Sequence, residues 1–115
     1  MPHGEIMSQK CIFCQIISGE KPAEFVYKNE SIVAFRDIKP HAPIHILIVP
    51  RKHIRSINDL QDEDRSIVAD LIFKAKEIAR DLEFASDGYK LVFNTESGGG
   101  QFVFHLHLHL VGGWK

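Results

Sequence analysis

Apolar positions change their spacing several times along this chain, and each spacing predicts an element. Ile12, Phe13, Ile16 and Ile17 fall one helical turn apart and Ser18-Gly19 supplies a stop, which predicts a short helix over Ile12–Ser18. Pro22 blocks its continuation. Glu24–Asn29 and Ser31–Asp37 are short runs rich in Val, Phe, Tyr and Ile around the polar Lys28-Asn29-Glu30, the pattern of a β-hairpin. A loop fixed by Pro40 and Pro43 leads into a strong strand, Ile44–Pro50, which carries His45 near its start. Arg51–Asp62 is a polar connection containing His53. Ile67, Leu71, Ala75, Ile78 and Leu82 form one stripe of a long helix over Glu63–Leu82, capped by Asp59 or Asp62. After the turn Ser86-Asp87-Gly88 come a strand over Tyr89–Thr95, a flexible glycine-rich loop over Glu96–Gln101 and a last strand closed by Gly112-Gly113. Five strands joined mostly by short turns predict an α+β layer fold: a mainly antiparallel sheet, one long and one short helix, both helices on one face.

The last strand carries the most information. In Phe104-His105-Leu106-His107-Leu108-His109-Leu110, histidine alternates strictly with apolar residues. On a helix the three imidazoles would spread over about 200° and leave no apolar face. On a strand they share one face, roughly 6.5–7 Å apart, while Phe104, Leu106, Leu108 and Leu110 share the other. Threonine or lysine would serve an ordinary half-buried strand as well. Imidazole adds chemistry, because it titrates near neutrality and acts as ligand, base or nucleophile. That spacing lets one site use two neighbouring imidazoles, whereas one small metal does not span all three.

Composition narrows the function classes. The chain has 115 residues, a length suited to one domain, with 44% apolar and 25% charged residues. Its net charge of −1 and lack of a basic run argue against nucleic acid as the main partner. No apolar stretch approaches the roughly 18 residues of a membrane span. Met1–Lys10 is polar, with an internal Met7, and reads as a flexible leader rather than a signal peptide. Residues 11–115 then form the single domain, and a cytoplasmic protein is expected. Cys11 and Cys14 form a Cys-x-x-Cys pair, which in such a chain points to metal or redox chemistry. With two histidines elsewhere it makes a plausible tetrahedral zinc site. Gly98-Gly99-Gly100 offers unobstructed backbone N–H groups to an anion beside the three histidines. No Gly-Lys-Ser/Thr follows and a strand comes next, so it is not a Walker loop.

These residues together resemble the histidine-triad (HIT) nucleotide-binding family. His-Leu-His-Leu-His-Leu-Val matches that family's His-φ-His-φ-His-φ-φ signature, and the likeness covers about Cys11 to Gly113. Ile12-Phe13-x-x-Ile16, Phe35-Arg36-Asp37-Ile38, Pro43-x-His45, Ile48-Val49-Pro50, Asn94 and Gly99-Gly100-Gln101 follow the same order and spacing, and Gly112-Gly113 resembles the nucleoside-phosphoramidase branch. The resemblance implies a HIT-like fold, a homodimer whose sheet runs across both chains, and hydrolysis of the P–N bond in purine nucleoside 5′-phosphoramidates. His107 would attack the α-phosphorus and form a nucleotidyl-histidine intermediate. His109 and His45 would lie beside the nucleophile or the phosphate, with His109 assisting the leaving group. Asp37 would hold the ribose, and Phe13, Ile16, Phe35 and Ile38 would form the base pocket. Asn94, Gly100 and Gln101 would contact the phosphate. Phe102 stands where some relatives have a serine near the leaving group, and it donates no hydrogen bond. Only Trp114 and Lys115 follow the paired glycines. No metal is required for catalysis, because imidazoles and loop N–H groups stabilise phosphoryl charge. Some relatives bind structural zinc with the counterparts of Cys11, Cys14, His53 and His105. The competing readings are a dinucleoside polyphosphate hydrolase, a low-turnover nucleotide-binding interaction protein, and a metalloenzyme that uses the triad as ligands.

Overall fold

The computed structural model describes residues 11–114; the expected leader over residues 1–10 lies outside them. Two α-helices and five strands follow in the order α1 (Ile12–Ser18), β1 (Phe25–Lys28), β2 (Ile32–Arg36), β3 (Ile44–Pro50), α2 (Arg65–Asp81), β4 (Tyr89–Val92) and β5 (Leu108–Gly112). The strands form one sheet in the order β1-β2-β3-β5-β4, with every neighbouring pair antiparallel. The expected α+β architecture is therefore present.

Local chemistry explains the ends of the elements. Gly19 takes a left-handed conformation at φ 90° and its N–H bonds back to Ile16 O, which closes α1. Glu20 N and Lys21 N then both donate to Gln15 O, at 2.8 and 3.2 Å, turning the chain back along the helix end. Asn29 makes the hairpin turn, its Oδ1 accepting from the N–H groups of Ser31 and Ile32 at 2.8 Å each. Gln61 and Asp64 form a capping box, with Gln61 N donating to Asp64 Oδ2 at 2.9 Å, ahead of α2. The first turn of the expected long helix is accordingly a 3-10 turn, Asp62–Asp64.

The helices lie on opposite faces of the sheet, not on one. Leu71, Ala75, Ile78 and Ala79 of α2 pack on Ile32, Ala34, Ile46, Ile48, Leu108 and Leu110. Phe13 and Ile16 of α1 pack on Val33, Phe35, Leu47 and Val49, the alternate residues of the same two strands. The cause is visible in β2 and β3, whose apolar runs Ile32–Phe35 and Ile46–Val49 are buried on both faces and must be covered twice.

The last strand also differs from its prediction. Strand pairing begins at Leu108 rather than Phe104. Leu106 N donates to Ile54 O at 2.6 Å, so the chain before β5 is held by the segment after β3 instead of by a sheet neighbour. Leu106, Leu108 and Leu110 fill the α2-side core as expected. Phe104 is exposed, with the Arg55 guanidinium 4.8 Å from its ring centroid. β4 stops at Val92, which pairs with His109; β5 extends only one residue past that level, so Phe93–Thr95 find no strand partner.

Candidate functional site

His109 on β5, and His105 and His107 on the segment just before it, turn towards α1, whose Phe13 packs edge-on to the last two. His105 and His107 are buried, and His109 is half-buried. The column of imidazoles is thus enclosed rather than presented to water. β3 lies beside β5, pairing Leu47 with His109 and His45 with Val111, so His45 joins the same face. Phe13 places its ring edge-on to His107 at 5.0 Å, and His107 and His109 are 4.8 Å apart between centroids.

Hydrogen bonds assign a tautomer to each ring. A carbonyl only accepts, so a ring nitrogen facing one carries the proton. His107 donates from Nδ1 to its neighbour's carbonyl, His105 O, at 2.7 Å, which leaves Nε2 as a bare nucleophilic lone pair. His105 donates from Nε2 to Pro50 O at 2.8 Å, which leaves Nδ1 bare. The backbone N–H of His41 donates to His45 Nδ1 at 3.1 Å. The proton of neutral His45 is therefore on Nε2, which donates to His109 Nδ1 at 2.9 Å. His109 in turn carries its proton on Nε2. Burial favours the neutral form of all four rings. It is the first cause of the lowered pKa of His45 and His107 and of the values near 4 for His105 and His109. The neighbouring His107 and His45 push His109 further down, against a weaker opposing pull from Asp37.

A cavity of about 640 Å³ opens over these rings. One end is apolar, lined by Phe13, Ile16, Phe35 and the largely exposed Ile38. The other end holds His45, His107, His109, Asn94 and Gly100, with Phe102 at the rim, 93% exposed. Asp37 lies between the two, its Oδ1 accepting from Lys39 N at 2.8 Å and its Oδ2 3.6 Å from His45 Nε2. Of the expected nucleotide-contacting residues, Gln101 alone lies outside the cavity lining. Its amide is spent on the chain: Oε1 accepts from Glu96 N at 2.8 Å, and Nε2 donates to Arg55 O and Val103 O at 2.9 and 3.1 Å.

Those bonds make the glycine loop a braced turn, not the flexible loop its composition suggests. Glu96 sits at φ 61°, ψ 170°, a backbone region almost reserved for glycine. Arg55 grips its carboxylate with two N–H donors at 2.7 and 2.8 Å, and Ser56 Oγ adds a third at 2.7 Å. The Arg55 bonds, then that of Ser56, hold the Glu96 carboxyl down at about 2. Asn94 Nδ2 donates to Gly99 O at 2.9 Å. Sequence reasoning missed this brace and the role of His41; the only signals were Glu96 among loop-forming residues and a histidine four positions before His45.

A second cluster lies on the other side of His107. Cys11, Cys14, His53 and His105 bring their ligand atoms within 4.8 Å of one another. The Sγ atoms of Cys11 and Cys14 approach His105 Nδ1 at 3.3 and 3.5 Å, and Cys14 Sγ approaches His53 Nδ1 at 3.3 Å. Zinc bonds of about 2.3 Å to sulfur and 2.0–2.1 Å to nitrogen give tetrahedral S···N edges of about 3.5 Å. Two sulfurs converge on one bare nitrogen lone pair, which a shared cation uses better than one weak S–H donor, and the Pro50 carbonyl fixes the tautomer that a metal-ligating His105 needs. The donor set fits zinc. Asp37, His45 and His109 form another close group, but the His41 N–H keeps the proton on His45 Nε2, the atom a metal would need. That triad-side group is better built for hydrogen bonding than for metal.

Comparison with known proteins follows the same lines. A family model described as "Scavenger mRNA decapping enzyme C-term binding" matches residues 10–113. The purine nucleoside phosphoramidase of Escherichia coli K12 is 44% identical over 107 residues, covering 93% of this chain and 90% of that protein. A HIT family hydrolase from Legionella pneumophila superposes with a TM-score of 0.89 at 50% identity, covering 91% of this chain and 94% of the other. A zinc-bound histidine triad family protein from Mycobacterium smegmatis superposes with a TM-score of 0.81 at 32% identity, over 94% and 78% of the two chains.

Proposed function

The chain belongs to the histidine-triad (HIT) family, and from that premise we propose that it is a purine nucleoside phosphoramidase, which hydrolyses the P–N bond between a nucleoside 5′-phosphate and an amine. The observation that carries the reading is the His107 tautomer: Nδ1–H is held by the His105 carbonyl at 2.7 Å, and Nε2 is unprotonated on a ring that lines the cavity.

Each step follows from the residues around that atom. The base enters the apolar end of the cavity and Asp37 accepts from the ribose hydroxyls. His107 Nε2 attacks phosphorus, a P–N bond to the ring forms and the P–N bond to the amine breaks. The ring becomes cationic, which strengthens its Nδ1–H bond to the His105 carbonyl. The departing nitrogen takes up a solvent proton beside His109 Nε2–H, the donor aimed by His45. Water then attacks phosphorus, releases a proton and the nucleoside monophosphate, and restores neutral His107. Gly100 and Asn94 serve the phosphoryl oxygens. Cys11, Cys14, His53 and His105 are the residues that would hold a zinc. Bound there, it would tie the start of α1 to the segment that carries the nucleophile and supply no step of the reaction. For a homodimer, β4 offers an open sheet edge with Leu91 exposed.

The test is release of nucleoside monophosphate from adenosine and guanosine 5′-phosphoramidates, beside a diadenosine polyphosphate and beside His107→Ala. Phosphoramidate turnover that disappears in the variant, with acid-stopped wild type trapping nucleotide on the chain, is the expected result. Preference for the polyphosphate overturns it in favour of that hydrolase. Nucleotide binding with turnover of neither substrate overturns it in favour of a binding protein.

A further inference from the structure

The base end of the cavity is mostly apolar, and one charged side chain there is uncommitted. Lys21 lines it together with Ile16, Pro22 and Ala23. The turn that closes α1 puts it there, because Lys21 N bonds to Gln15 O and Pro22 follows at once. Its side chain is exposed, and among the described residues its ammonium has no hydrogen-bond or ion-pair partner. Arg36 also borders the cavity, but its guanidinium is committed to Glu24 at 2.9 Å. The carboxylate that lines the cavity, Asp37, is engaged by Lys39 N and faces the histidines. The polar side chain left to meet the edge of a base at the apolar end is thus a cation with three donors and no acceptor.

Purines differ on the edge such a cation reads. Guanine presents two acceptors there, N7 and O6, whereas adenine presents N7 beside an amino donor. A lysine ammonium matches the first pair and meets a competing donor in the second. On the footing of the nucleotide site proposed above, we infer that Lys21 is a specificity-determining residue that makes this site prefer 6-oxopurine nucleotides, those of guanine and hypoxanthine, over those of adenine. The contact is open to water, so the preference is modest, about three- to tenfold, at the low end of what such base-edge contacts supply.

The experiment compares kcat/KM for guanosine, inosine and adenosine 5′-phosphoramidates that share one amine leaving group, in wild type and in Lys21→Met, which keeps the chain length and removes the donors. Binding of GMP, IMP and AMP by calorimetry on the same proteins reads the same order without turnover, so failure of the hydrolase reading leaves this test intact. The expected result is guanosine and inosine together above adenosine by about three- to tenfold, collapsing to near equality in Lys21→Met. Inosine matters because it carries O6 and N7 without the 2-amino group. Inosine tracking adenosine, equal or adenosine-first preference in wild type, or an unaltered ratio in Lys21→Met would each overturn the inference.

Discussion

His45 is placed to aim His109, and its replacement tests the tautomer chain directly. The ring is 4% exposed and makes two bonds of opposite polarity: it accepts at Nδ1 from His41 N and donates at Nε2 to His109 Nδ1. His45→Leu removes both. The His41 N–H lies on an exposed loop and can turn to water, but His109 Nδ1 is left without its donor. An orphaned, largely buried acceptor costs about 1–3 kcal/mol, and His109 recovers part of that by moving its proton to Nδ1 or rotating. Either escape takes Nε2–H away from the leaving group. At about 1.4 kcal/mol per tenfold in rate, kcat falls roughly 10- to 100-fold, while the apolar base contacts of Phe13, Ile16 and Phe35 are untouched. His45→Gln is the control. Its amide oxygen accepts from His41 N and its NH₂ donates to His109, so it keeps the polarity of both bonds and retains most of kcat. The assay is steady-state phosphoramidate hydrolysis on all three proteins, with thermal melting to confirm folding. A leucine variant with wild-type kcat, or a glutamine variant as slow as leucine, would refute the argument.

Three further outcomes follow from the same geometry. Purified protein is expected to carry about one zinc per chain by elemental analysis; Cys14→Ser or a strong chelator lowers the melting temperature and releases it, and metal-free protein with an unchanged melt would contradict the Cys11–Cys14–His53–His105 assignment. At Glu96, Ala keeps the disfavoured backbone and loses the Arg55 grip, whereas Gly loses the grip and relieves the backbone. The urea midpoint should therefore rank Gly above Ala, and the reverse order would remove the strain argument. The pH dependence has a definite sign. With a folded pKa near 4 against about 6.5 unfolded, His109 contributes stability that is fully present above pH 6.5 and lost as the pH falls from 6.5 towards 4. The acid limb of kcat/KM is expected at a midpoint below 6.5, and a midpoint at or above that value would mean the catalytic rings are solvated.

The architecture was legible where period and face suffice. Leu106, Leu108 and Leu110 share the α2-side core as strict alternation requires. The opposite placement of α1 was also written in the sequence, in the apolar runs Ile32–Phe35 and Ile46–Val49, which leave neither face of their strands polar and so need cover on both. Phe104 shows the limit of alternation. It continues the pattern, yet Leu106 N bonds to Ile54 O, and the chain joins the sheet only at Leu108. Gln101 and Glu96 were illegible for a related reason. A glutamine beside three glycines looks available to a ligand, and only the distant Arg55–Ser56 segment, some 40 residues away in the chain, shows that both side chains are already engaged.

The triad itself makes the same point at the level of single atoms. Periodicity gives His105, His107 and His109 one face and identical standing; it does not distinguish them. What separates them is the partner of the second ring nitrogen, and for two of the three that partner is remote: Pro50 O for His105, 55 positions away, and His45 for His109, 64 positions away. His105 gives its outer nitrogen to a carbonyl and turns the other to the cysteines. His107 gives Nδ1 to a local carbonyl and turns Nε2 to the cavity. His109 receives a proton donor and so keeps one of its own to offer. A ligand, a nucleophile and a donor thus arise from one repeated residue, because β3 supplies the second-nitrogen partner of His105 and His109 while the chain's own carbonyl supplies that of His107.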